Sequence, residues 1–241
     1  MTMAPAYYAR GTRGWRAYWT LLHPPYTLMH LSFVVVGAAL APALDGVRLA
    51  WTLVAFALGM GVAAHALDEL NGRPLGTRIH TGTLVGLAAI ALLAAVAIGA
   101  WGALHYALLP GLVLVGLGIF LVIAYNLELW HGAVHTDLGF ALAWGAFPVL
   151  VAYYAQTGTL VAVAFLGAGY ATAASLVQRH LSTPARRLRR RTETVHGAIR
   201  YADGHTEAID RATLLAVPER ALTALVWTSV LAALALLLRH A

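Results

Sequence analysis

The chain contains no cysteine and no lysine, and only ten of its 241 residues are acidic. Without cysteine there are no disulfides, no thiolate metal sites and no cysteine nucleophile. Charge of either sign is scarce: 11% of residues are charged against 60% hydrophobic, with a mean hydropathy of +0.72. This is the composition of a membrane protein and lies outside the range of soluble domains. No glycine-rich nucleotide fingerprint, GxSxG elbow or long internal repeat is present.

What the chain does have is a series of apolar runs, at 26–44, 47–67, 82–103, 106–127, 138–155, 159–178 and 221–238. Each is long enough to cross roughly 30 Å of hydrocarbon as a helix. Lipid admits only helices or closed barrels, and the alternating strands of a barrel are missing. The expectation is therefore an all-α polytopic membrane bundle of about seven transmembrane helices, a single domain over 1–241. The polar, arginine-bearing segment 1–25 reads as a cytoplasmic leader before a retained helix. Residues 182–218 read as a cytoplasmic loop whose Asp203-Gly204 marks a small hairpin, with Pro218 opening the last helix.

Every strong base is one of 16 arginines, which makes their placement informative. Fourteen fall on one side of the predicted topology, and only Arg48 and Arg239 fall opposite. By the positive-inside rule the protein sits in the cytoplasmic membrane with its N-terminus cytoplasmic and its C-terminus outside, as an odd number of spans requires. The net charge of +6 then reflects orientation and contact with anionic lipid headgroups, and no nucleic-acid partner is expected.

The same topology gathers the polar residues at the cytoplasmic mouth. "AAHALDELNGRPLGTRI" (63–79) follows the second run, "YNLELWHGAVHTD" (125–137) the fourth, and "SLVQRHLSTPARRLRRRTETVHG" (175–197) the sixth. Ionisable groups at membrane depth favour a functional reading. His65 and Asp68 are three residues apart, as are Glu128 and His131, while His131 and His135 are four apart. On helices such partners share a face. Imidazole with carboxylate suits zinc, iron or manganese. His30, alone within the first run, reads as a packed or hydrogen-bonded side chain.

Three passages resemble the UbiA superfamily of intramembrane prenyltransferases: "YWTLLHPPYTLMHLSFVVVGAALAP" (18–42), "GVAAHALDELNGRPLGTRI" (61–79) and "AYNLELWHGAVHTDLGFALAWGAFPVLVAYYAQTG" (124–158). The first is similar to the family's first helix, with His23 where arginine is common. In the second, anchoring the family's NDxxDxxxD motif on Asp68 puts Ala64 and His65 at the Asn-Asp pair and Gly72 at the last aspartate. Where the family carries a second, DxxxD motif, Ser175 and Arg179 stand. The likeness covers about residues 15–180.

The resemblance implies transfer of a prenyl group from an isoprenoid diphosphate to a lipophilic acceptor, with Mg2+ bridging diphosphate and carboxylates. On that reading Asp68, Glu69, Glu128 and Asp137 are the candidate metal ligands. His65, Asp68, Tyr125 and His131 are the candidate catalytic groups, and Asn71, Arg73, Arg78, Asn126 and Arg179 contact substrate. Two alternatives stand beside it. One is a metal-dependent membrane lipid hydrolase, since seven helices with an HxxxH pair are loosely similar to the adiponectin-receptor and alkaline-ceramidase group. The other is a non-catalytic protein that binds lipid or quinone.

Overall fold

The computed structural model describes residues 4–106 and 108–241, so the first three residues of the expected leader and position 107 of the expected fourth run lie outside the described residues. The protein is mostly helical, at 73%. Helix α1 (Trp15–Leu21) precedes α2 (Pro24–Ala39), whose Pro24 and Pro25 occupy the first turn, where no amide hydrogen is needed. Helix α3 (Gly46–Leu70) is capped by Asp45, whose carboxylate accepts from the amides of Val47 and Arg48. Then come α4 (Thr81–His105), α5 (Gly111–Asn126), α6 (Asp137–Thr157) and α7 (Ala162–Arg190). Strands β1 (Gly197–Arg200) and β2 (Thr206–Ile209) pair antiparallel before α8 (Arg211–His240).

Helices α3, α4, α6 and α8 are long and apolar enough to cross a membrane, and α5 is a shorter apolar helix. The outer surface agrees: Ile90, Leu93, Val113 and Leu166 are each 68–75% exposed, an arrangement that lipid accepts and water does not. The protein is thus a helical membrane protein. Inside, α2 packs against α6 and α8 around Met29, Phe33, Val149, Ala171 and Val226. Small residues allow this closeness. A Cβ on Gly37 would collide with the backbone of Val149, and one on Gly145 with Ala171 and Ser175.

Two expectations about the arginine-rich end need correction. Helix α7 does not stop near 178; it continues through Pro184 to Arg190, so the loop before the last helix spans only 191–210. Pro218 lies inside α8, which begins at Arg211 behind the Asp210 cap. The hairpin itself forms about Asp203-Gly204, with Gly204 at φ 87°.

Candidate functional site

Two wide turns set the interior. Helix α3 carries a π segment at Ala57–Ala63 and α6 another at Ala141–Ala146. Such turns disturb the usual i→i−4 ladder and recur at functional sites. Here imidazoles reach into both: His65 Nδ1 donates to the Gly61 carbonyl (2.9 Å) and His30 Nδ1 to that of Trp144 (3.0 Å). His30 is therefore a buried, hydrogen-bonded side chain, as its lone position suggested.

The residues before α1 fold back as a strap. Thr20 Oγ1 donates to the Gly11 carbonyl and accepts from the amide of Arg10, while Trp19 Nε1 donates to the Tyr8 carbonyl. From α7, Arg190 Nε donates to the Pro5 carbonyl at 3.0 Å. This places Tyr8 in the interior, its hydroxyl 2.8 Å from His23 Nδ1. Burial holds the His23 imidazole well below its ordinary pKa, and the charges of His65, Arg190 and Arg186 push the same way. A neutral His23 accepts the tyrosine proton at Nδ1 and carries its own hydrogen on Nε2, which is buried without a partner. Burial likewise raises the Tyr8 phenol, against the opposing charges of Arg190 and Arg186.

Around this pair lie charges from three helices. Asp68 on α3 feels Arg186, His135 and Arg190 as favourable neighbours and Glu69 as an adverse one. Its carboxylate makes no hydrogen bond among the described residues. Tyr125, at the end of α5, stacks on His135 with centroids 4.3 Å apart and touches Trp144 at 4.5 Å. The charges that reach its phenol are those of Arg179, Arg186, Asp68 and Asp137. Its hydroxyl is buried and unpartnered, as are Ser175 Oγ and Gln178 Oε1 on α7. Arg179 donates from Nε to Asp137 at 2.7 Å and lies over Phe140. Tyr125 and Arg179 thus both lie against Phe140, and Asp68 stands on the end of α3 that packs against α5.

The other expected site residues are engaged differently. Glu69 is fully buried and accepts from the amides of Leu75 and Thr77 and from Thr77 Oγ1, so it anchors the 71–80 loop and has no oxygen turned to a metal. Arg73 donates to the carbonyls of Thr77 and Ile79 and to Thr81 Oγ1, closing the same loop. Asn71 donates to the Asn126 carbonyl and so joins the ends of α3 and α5, while the Asn126 side chain bonds back to the Val122 carbonyl within α5. Arg78 is exposed, its backbone amide donating to Thr12.

Glu128 and His131 do not share a helical face. Glu128, Trp130 and His131 have φ of 50°, 52° and 59°, a left-handed path that breaks the spacing, and both Glu128 and His131 are exposed. His135 turns inward instead, its Nδ1 donating to the Tyr125 carbonyl with the Glu128 carboxylate 3.9 Å away.

Those placements test the donor set for a divalent ion. Hard cations such as magnesium want several oxygen ligands. With Glu69 committed to its loop, Asp137 paired to Arg179 and Glu128 outside, Asp68 stands alone. Among the described residues no three His, Asp or Glu side chains converge for a metal.

Tyr8, Arg186, Gln178 and Ser175 complete the interior without having been picked as site residues. One signal was visible: Ser175, Gln178, Ser182, Arg186 and Arg190 recur at three- and four-residue spacing, a polar stripe on α7. The inward turn of Tyr8 has no comparable pattern, because it depends on contacts with distant helices. Compared with known protein families, curated proteins and solved structures, the chain matches none of them.

Proposed function

We propose that this chain is a seven-span protein of the cytoplasmic membrane, N-terminus inside and C-terminus outside, that binds a lipid by a phosphate-bearing headgroup at its cytoplasmic mouth. The run of Arg179, Arg186 and Arg190 along the polar stripe of α7, which begins with the buried Ser175 and Gln178, carries this reading. Guanidinium groups bind phosphate oxygens in pairs. Arg179 is already neutralised by Asp137, whereas Arg186 makes only a long 3.4 Å contact to Thr183 and has donors to spare. The hydroxyls of Tyr125 and Ser175, buried and without a partner among the described residues, supply further donors at the Arg179 end of the stripe.

The UbiA resemblance favours an isoprenoid tail on that lipid. Of the three alternatives, binding without metal-assisted chemistry agrees best with the donor set described above. Binding of a prenyl phosphate, compared with the prenyl alcohol of the same chain, tests it.

Prenyl transfer is the second reading, favoured by one observation. Asp68, at the position that the resemblance gives to a central aspartate of the motif, keeps its carboxylate clear of protein hydrogen bonds. Product formation from a prenyl diphosphate with Mg2+, lost in Asp68→Asn, tests it. The hydrolase reading finds no such support, since Glu128 and His131 lie outside the interior.

A further inference from the structure

An apolar cavity lies at the other end of α3 from Asp68. It has a volume of about 190 Å³ and runs between α3, α4, α5 and α6. Met60 and Trp144 close its inner end, Arg48 stands at its outer end, and the rim residues Trp51 and Trp101 are exposed on the surface.

Three observations identify an occupant. From Arg48 to Met60 is 12 residues of α3, about 18 Å along the helix axis. That is close to half of the roughly 30 Å of hydrocarbon in a bilayer, the depth of one leaflet. Trp51, Trp101 and Tyr106 gather at the Arg48 end, as aromatic residues do at the level of lipid headgroups. Lastly, Arg48 is incompletely satisfied. It stacks over Tyr106 at 4.1 Å and donates through Nη1 to the carbonyls of Ala155 and Gln156. Among the described residues its Nε is buried without a hydrogen bond, although Asp45 Oδ2 lies 3.4 Å away. Asp45 balances the charge, so what the guanidinium lacks is an acceptor oxygen rather than a counter-ion.

We infer that this groove holds one acyl chain of a glycerophospholipid from the leaflet at the Arg48 end, with an ester or phosphate oxygen of that lipid at Arg48. The site is separate from the polar interior beyond Tyr125, and the inference does not rest on the function proposed above. The chain fills the apolar space left between these helices, while its oxygen completes the guanidinium.

Native mass spectrometry of the full-length protein with added phosphatidylglycerol tests this. The wild type is expected to retain one phospholipid. Ala95→Trp, which places an indole in the groove, is expected to abolish retention. Arg48→Met, at the rim, weakens it about tenfold, the scale of one lost charge-assisted hydrogen bond. Leu93→Trp, on the exposed face of α4 outside the groove, retains lipid like the wild type. Arg186→Gln also retains it, which separates this site from the phosphate site. Failure of the wild type to retain phospholipid, or unchanged retention in both Ala95→Trp and Arg48→Met, would overturn the inference.

Discussion

The imidazole of His23 lies flat on that of His65, ring centroids 4.5 Å apart and 12° from parallel. His23 belongs to the turn before α2 and His65 to α3, so the contact ties the strap end of the bundle to the interior that holds Asp68. Burial, aided by the charges of His65, Arg190 and Arg186, disfavours a proton on His23.

That intolerance sets a pH dependence. His23 has a folded pKa below 6.5, so below that pH the unfolded chain binds the proton that the folded chain refuses. Stability falls as pH drops below 6.5, by up to about 1.4 kcal/mol per unit from this group. Thermal unfolding from pH 7.5 to 5 is expected to show the decline, and His23→Gln to flatten it.

Tyr8→Phe removes the hydroxyl that meets His23 and leaves Nδ1 of a buried ring without its donor. The expected cost is about 1–3 kcal/mol, the penalty for an orphaned buried group. Hydrogen exchange should locate the loosening in the strap before α1, with protection unchanged in α4 and α5.

Glu69→Gln distinguishes a loop anchor from a ligand. The carboxylate accepts from two amides and a hydroxyl, and a glutamine would turn an NH2 toward donors. Stability is expected to fall by about 2–3 kcal/mol. Affinity for a prenyl phosphate, measured well below the melting temperature, is expected to stay at the wild-type value.

Gly37→Ala tests the close crossing of α2 and α6. The added methyl meets the carbonyl and Cα of Val149, which are backbone atoms and yield poorly. Destabilisation of about 1–3 kcal/mol is expected in a melting curve, in the range of an overpacked core.

Helices α3, α4, α6 and α8 were legible because each holds an apolar run long enough to cross a membrane, and lipid forces such a run to satisfy its own backbone. Their ends were less so. Hydropathy falls at Gln178, yet α7 continues to Arg190 because its last arginines meet α8 and the strap, with Arg189 paired to Glu219 and Arg190 bonded to Pro5. Pro218 suggests a start by its ring geometry, but Asp210 supplies the earlier cap through Thr213. Within the candidate site, Asp68, Tyr125 and Arg179 were picked for their common position at the mouth of the predicted topology. Glu69 was misjudged, because its neighbour Asp68 gives no hint that a loop eight residues further on will return to bind it. The Glu128-His131 pair was assigned a helical spacing that the left-handed residues there do not provide.

The most direct measurement compares binding of a prenyl phosphate and its prenyl alcohol to the protein in lipid nanodiscs. The account predicts tighter binding of the phosphate, reduced about tenfold or more in Arg186→Gln and Arg179→Gln as charge-assisted hydrogen bonds are lost. Equal affinity for phosphate and alcohol, or unaltered phosphate binding in both arginine variants, would contradict it.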